Sequence, residues 1–314
     1  MKNKNIKTIL LSLLVMALWG SLYPFVKIGY SAFKIDTTNI PSIMLFAGIR
    51  FLICGVILIV ACSIKDKKLE PLNKSNLLWV IWGAVISIIL HYGFTYIALS
   101  LGEGSKSAII KQVGFLFLSC FAFLFDKTDG FSPRKLIAGI LGFAGIIATG
   151  IDGSSVIFGL GDTLLILASL CSAIATVVSK RATQTVLPAK FVAYTQFIGG
   201  VFLTAVGALL GGKLTHVDGV AVAALTYICI ASIAAYVIWN SLLKNSNMSM
   251  LSVIKFAEPL FACLFAAILL KEDIFKWQYM AALLLISVGI VISNNNTNEN
   301  KNISGVQENE SNDF

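Results

Sequence analysis

The chain has 314 residues, of which 57% are hydrophobic and only 13% charged. A soluble domain carries about 25% charged residues; half that share cannot coat a globule of this length, so a soluble enzyme is excluded, as is disorder outside the C-terminus. The net charge of +8 would elsewhere point to nucleic acid, but here it is accounted for by membrane topology, and no nucleic-acid partner is expected.

A transmembrane helix needs about 20 mostly apolar residues. Ten such runs follow one another: 8–29, 41–62, 77–99, 107–125, 134–151, 160–179, 190–211, 220–243, 248–270 and 276–293, numbered here as spans 1 to 10. Short connections between them hold most of the charge. Span 1 is too long for a signal-peptide core and no small-residue cleavage site follows it, so it is read as a helix of the mature protein. With a cytoplasmic N-terminus, inside segments hold fifteen Lys and Arg residues and outside segments five. The positive-inside rule therefore places residues 1–7 in the cytoplasm, and ten spans return the C-terminus there. All six cysteines fall within spans and read as small apolar residues, with no disulfide or metal spacing. Residues 294–314 are polar and without periodicity, and read as a disordered cytoplasmic tail.

Sliding the chain by 144 residues places Tyr92 on Tyr236, Ile110–Lys111 on Ile254–Lys255, Lys127 on Lys271 and Asp129 on Asp273 without a gap. Spans 3 to 5 thus resemble spans 8 to 10, and Lys27 near the end of span 1 corresponds to Lys180 in the second half at a slightly different offset. Five spans per unit is an odd number, so the second unit enters the membrane from the opposite side. The fold class expected is an all-α membrane protein of ten transmembrane helices in two inverted five-helix repeats, 8–151 and 160–293. Inverted repeats point to alternating access around a central site at the repeat interface.

Several short motifs lie in order along this pattern: Trp19–Gly20, Arg50–Phe51, Gly161–Asp162, Glu258–Pro259 and the ILLKEDI stretch closing span 9. With the two five-span units, they resemble the paired EamA-type domains of the drug/metabolite transporter superfamily over residues 8–293. The chain departs from that pattern at Gly114–Phe115, where repeat symmetry calls for Glu–Pro, and at Ser172, where many relatives carry Trp. The resemblance implies transport, with export as the usual direction.

Ionisable groups within spans cost about 2.5–3.5 kcal/mol each on insertion scales, so Lys27, Arg50, His91, Lys111, Lys255 and Glu258 need partners, water or a function. Lys255 and Glu258 are three residues apart and share a helix face. Pro259 has no amide hydrogen and leaves the Lys255 carbonyl without its helical donor. This cluster is read as a substrate and coupling locus, with a self-neutralising ion pair as the structural alternative. Glu258 would take a coupling proton if Lys255 moved away. Lys111, the repeat counterpart of Lys255, is read either as a second cation on the pathway or as a lysine snorkelling to the outer headgroups. Arg50 is too deep to snorkel. It is read as a bidentate carboxylate clamp or as a donor to carbonyls freed where Pro24 breaks span 1, and the resemblance favours the structural role. Lys27 is expected to snorkel, His91 to be hydrogen-bonded in the bundle or to shuttle protons, and Asp162 to cap its helix. Trp19, Tyr23, Tyr92, Tyr96, Tyr236, Trp239 and Asn240 are candidate cavity walls.

No nucleotide-binding loop, HExxH or paired CxxC occurs, so neither cofactor nor metal is expected, and an enzyme is not. The reading is a secondary active or facilitative carrier of a small polar metabolite, such as an amino acid or organic anion, in the plasma or inner membrane, as monomer or homodimer. A membrane sensor or scaffold is the competing reading; short loops leave it little surface.

Overall fold

The computed structural model describes residues 2–66, 74–114, 158–245 and 257–285 throughout, with isolated positions or short stretches within 117–156, 251–255 and 287–292. Most of span 5 and the tail 294–314 lie outside the described residues. Nine α-helices are described here: α1 (Lys2–Ala32), α2 (Ile40–Asp66), α3 (Lys74–Gly83), α4 (His91–Leu101), α5 (Gly104–Lys111), α6 (Leu160–Thr185), α7 (Pro188–Leu209), α8 (Gly219–Asn245) and α9 (Ala257–Leu270). A π-helical segment, Ala84–Leu90, joins α3 to α4. The extended pairing among the described residues is a two-residue antiparallel bridge, Ile151–Asp152 with Ser155–Val156.

Six helical stretches are long and apolar enough to cross a membrane, and they fall on spans 1, 2, 3, 6, 7 and 8. Spans 4 and 9 are built differently. In span 4, α5 ends at Lys111 and a turn follows at Gln112. In span 9, Ile254 is helical, Lys255 lies in a turn, and α9 starts at Ala257. The two interruptions fall within one residue of equivalence under the 144-residue repeat. Each leaves its repeat-related lysine at a helix end.

The halves interlock rather than sit side by side. Helix α1 packs on α8 and α9, α4 and α5 pack on α6, and α2 packs on α7. Exchanging the halves turns the α1–α8 pair into α6–α4, and turns α1–α9 into α6–α5. The α2–α7 pair maps onto itself. Its contact is set by glycine: a Cβ added at Gly48, Gly55, Gly200 or Gly207 would come within 3.0 Å of the backbone at Thr204, Phe197, Leu52 or Leu45, respectively. Gly48 and Gly200 are 152 residues apart, as are Gly55 and Gly207, and as are their partners Leu52 with Thr204 and Leu45 with Phe197. Position numbers rise on one helix as they fall on the other, so equivalent helices cross antiparallel. Small residues give this close approach in lipid, where apolar burial itself drives little helix association.

Three expectations are corrected here. Pro24 lies inside the continuous helix α1 and does not break it; one lost hydrogen bond is tolerated in a long membrane helix whose flanks are packed. Pro259 sits in the first turn of α9, where its missing N–H is no loss. The Lys255 carbonyl is not left free: it accepts the Glu258 amide at 3.1 Å.

Gly114 also finds its reason in packing. A Cβ there would lie 2.6 Å from the Ser169 carbonyl oxygen of α6, so the glutamate that symmetry with Glu258 calls for has no room.

Candidate functional site

A cavity lies among α1, α2, the π-helical segment, α4, α5, α6, α8 and the start of α9. It offers about 90 Å³ to the centres of water molecules, space for several waters or one small solute at ~10–15 Å³ per water centre.

Its wall brings together side chains from both halves of the chain. Trp19, Arg50, His91, Tyr92 and Lys111 come from the first, and Tyr236, Asn240, Lys255 and Glu258 from the second. Their closeness follows from the symmetric crossing of the helices. The repeat-related rings of Tyr92 and Tyr236 are 6.1 Å apart between centroids. Lys111 Nζ lies 5.5 Å from the ring centres of Tyr23 and of Tyr92. Lys255 Nζ lies 5.0 Å from Trp19 and 5.1 Å from Trp239. Both separations are within cation–π range, about 6 Å. Lys111 thus faces the cavity rather than the headgroups.

Glu258 is the second residue of α9, where the helix N-terminus favours negative charge. Its Oε1 accepts the Tyr23 hydroxyl at 3.1 Å, and its carboxylate is within electrostatic reach of both lysines.

Arg50 is fully buried. Among the described residues it bonds neither the Gly20 carbonyl nor a carboxylate. Its Nε and Nη2 donate to Ser232 Oγ at 3.2 and 2.5 Å, its Nη1 to the Tyr96 hydroxyl. The Phe51 ring lies 4.5 Å away. Arg50 therefore ties α2 to α4 and α8 at the cavity wall. Pro24 leaves the Gly20 carbonyl without its helical donor, but α1 stays continuous and the guanidinium bonds elsewhere.

Four buried side-chain atoms in this wall have no hydrogen-bond partner: Trp19 Nε1, His91 Nε2, Gln112 Oε1 and Asn240 Oδ1. Unpaired buried polar atoms cost about 1–3 kcal/mol each and are rare in folded proteins. Their concentration around one cavity marks a place built to receive polar groups.

Gln112 escaped the sequence reading, as did Thr176 and Ser179 of an α6 stripe that lines the cavity with Ser172, a residue singled out only as a departure from the family pattern. The stripe's spacing of four and three on an apolar helix is a signal that finds it. Ser87 and His91 reach the cavity from the π-helical segment and the residue after it, an irregularity that recurs at functional sites.

A second cluster of charge lies at one end of the bundle. Lys271 adopts φ +55° after α9, a left-handed turn of the kind that ends helices. Glu272 is thereby placed at the N-terminus of α5. Its carboxylate accepts the Gly104 amide at 3.0 Å, the Ser105 amide at 3.1 Å and the Ser105 hydroxyl at 2.7 Å. Lys27 pairs with it at 3.1 Å and donates to the Gly102 carbonyl at 3.0 Å, instead of extending to headgroups. Burial pushes the Glu272 carboxyl up, but the Ser105 hydroxyl, the two amides and the Lys27 charge outweigh it and hold the group below the usual glutamate value. Nearby, Lys276 pairs with Glu103 at 2.7 Å, and Lys106 with Asp162 at 3.0 Å. Asp162 also accepts the Gly159 amide at 3.0 Å, capping α6.

Interlocked apolar helices around a charged, aromatic-walled cavity define a multi-pass membrane protein. A family model for the EamA-like transporter family matches residues 6–151 and again 159–295. Among curated relatives, an uncharacterized transporter of Archaeoglobus fulgidus is 28% identical over 85% of this chain and 91% of its own. A probable amino-acid metabolite efflux pump of Escherichia coli is 24% identical over 88% of this chain and 91% of its own. A solved crystal structure superimposes with a TM-score of 0.63 at 17% identity, over 91% of this chain and 96% of that one; that likeness speaks to the fold alone. The chain belongs to the EamA-like transporter family, with two copies of the family's repeat, and is a membrane transport protein.

Proposed function

We propose that the chain is a ten-span secondary active or facilitative carrier of a small polar metabolite, such as an amino acid or organic anion. Two inverted units, 8–151 and 160–293, enclose the central cavity, both termini are cytoplasmic, and the protein sits in the cell membrane. Substrate moves by alternating access, in the export direction. The observation that carries this reading is the cavity itself: unpaired polar atoms and opposed charges gathered from both halves, with a lysine at the end of each interrupted helix. Interrupted helices at a repeat interface are where carriers bind solutes. Lys255, Lys111 and Glu258 form the binding and coupling locus, Trp19, Tyr92, Tyr236, His91 and Asn240 line it, and Arg50 positions it. Glu258 takes a coupling proton when Lys255 swings away.

The test is a comparison of metabolites in cells with and without the gene, followed by flux of the changed compound in proteoliposomes. Saturable flux of that compound supports the carrier. No flux of any changed compound through correctly inserted protein refutes it.

In this reading the Glu272 cluster closes the outer end of the cavity. Replacing Glu272 with glutamine removes the charge that Lys27 and the α5 amides face. The variant is expected to raise, several-fold, the rate at which an impermeant thiol reagent added outside labels Ala175→Cys, a cavity position, in a background stripped of native cysteines. The pH dependence has a fixed sign. A carboxylate held below its usual value keeps its contribution above that value and loses it as pH falls through the lowered one. External acidification within the neutral to mildly acid range therefore leaves the closure intact.

A further inference from the structure

The orphan atoms and the charges of the cavity say more about the solute than that it is small and polar. Asn240 is 3% exposed, and its Nδ2 donates to the Tyr236 carbonyl at 2.9 Å. That bond fixes which end of the amide is which, because a carbonyl partner requires the nitrogen. The atom left without a partner is therefore the oxygen Oδ1, a pure acceptor. Asn240 lines the same cavity as Lys255 and as Trp19, whose unpaired Nε1–H is a pure donor. The wall thus offers the solute a cation and an indole donor, which suit a carboxylate, beside an uncharged acceptor, which demands an O–H or N–H.

The balance of charge decides between those two donors. Among the described residues, Lys111, Lys255 and Arg50 surround the cavity against one carboxylate, Glu258, and that carboxylate already accepts the Tyr23 hydroxyl. A solute ammonium would enter an excess of positive charge, whereas a net anion relieves it. We propose, building on the carrier reading above, that the cavity is a site for 2-hydroxy carboxylates, with the carboxylate at Lys255 and the Trp19 indole N–H and the hydroxyl donating to Asn240 Oδ1. The apolar body of the solute lies toward Leu22, Val26, Leu99 and Leu243 of the same wall. Asn240 is the specificity-determining residue: it accepts from the hydroxyl, and a solute lacking that group leaves Oδ1 buried and unpaired. Sites of this kind reject the analogue that lacks the donor far more strongly than apolar pockets reject a size change.

The experiment uses the full chain in detergent and three probes of one carbon skeleton: 2-hydroxy-4-methylpentanoate, leucine and 4-methylpentanoate. Calorimetric titration at neutral pH is expected to give the hydroxy acid an affinity more than about tenfold above either of the others. In Asn240→Leu the advantage over 4-methylpentanoate is expected to collapse to within about threefold, in protein whose monodisperse elution profile shows that the variant is folded. Should Asn240→Leu bind none of the probes, Asn240→Ala takes its place under the same expectation. Tightest binding of leucine, a hydroxy-acid preference unchanged in both variants, or binding of none of the three to the wild-type chain overturns the proposal. Each of those outcomes leaves the carrier reading standing, because metabolite-guided flux tests it separately.

Discussion

Flux through reconstituted protein is expected to fall at least about tenfold, about 1.4 kcal/mol in the binding step, in Lys255→Ala and in Glu258→Gln. The lysine ends an interrupted helix and lies over two indole rings, at 5.0 and 5.1 Å. Removing it takes away the cation that offers a bound anion its countercharge, and leaves the Glu258 carboxylate to repel that anion. Removing the carboxylate instead takes away the negative charge that both lysines sense, along with the anionic acceptor of the Tyr23 hydroxyl. Neither change touches the glycine contact between α2 and α7, so insertion and the monodisperse elution profile are expected to be unchanged. Wild-type flux in both variants would remove these residues from the pathway.

The largest effect on folding is expected at that glycine contact. A Cβ at Gly200 meets the backbone of Leu52 and Phe51 rather than a movable side chain, so a substitution must push the two helices apart. Overpacking a tight interface costs about 1–3 kcal/mol, and more where backbone cannot move. Gly200→Ala is expected to lower the thermal unfolding temperature in detergent clearly, and Gly200→Leu to prevent recovery of monodisperse protein. The same is expected at Gly48, its symmetry mate. Gly93 is the control: a Cβ there meets nothing within 4 Å, and Gly93→Ala is expected to be neutral or to stabilise by up to about 1 kcal/mol through helix propensity. Equal behaviour of Gly200→Ala and Gly93→Ala would mean that the α2–α7 crossing does not hold the halves together.

Much of this could be read from residue types because membranes make polar residues conspicuous. Lys111, Lys255, Glu258 and His91 stand out in apolar runs, and the Tyr92–Tyr236 correspondence came from the repeat alone. Contacts reaching across the chain could not be read. Ser232, the partner of Arg50, lies 182 residues away, and a serine in an apolar helix looks like any other. Pro24 pointed to a break where packing on both sides keeps α1 whole. The interruption at Gln112 has no proline to announce it, and the π-helical segment at 84–90 has no composition of its own. Glu272 was not singled out within the ILLKEDI stretch, because nothing in the sequence shows that Lys271 turns left-handed and aims it at α5. Gly48 and Gly55 passed unnoticed for a related reason: a glycine matters here through the backbone it approaches, and that backbone belongs to the other repeat.

In the proposed carrier, two copies of one bundle cross upside-down around a shared polar chamber. Impermeant maleimide labelling of single cysteines, placed in turn at Lys106, Lys276 and Lys190 and at both ends of the chain, tests it most directly in intact cells. Labelling is expected from outside at 106 and 276, and only after permeabilisation at 190 and at both termini. Termini on opposite faces of the membrane, or 106 and 276 on different faces, would contradict it.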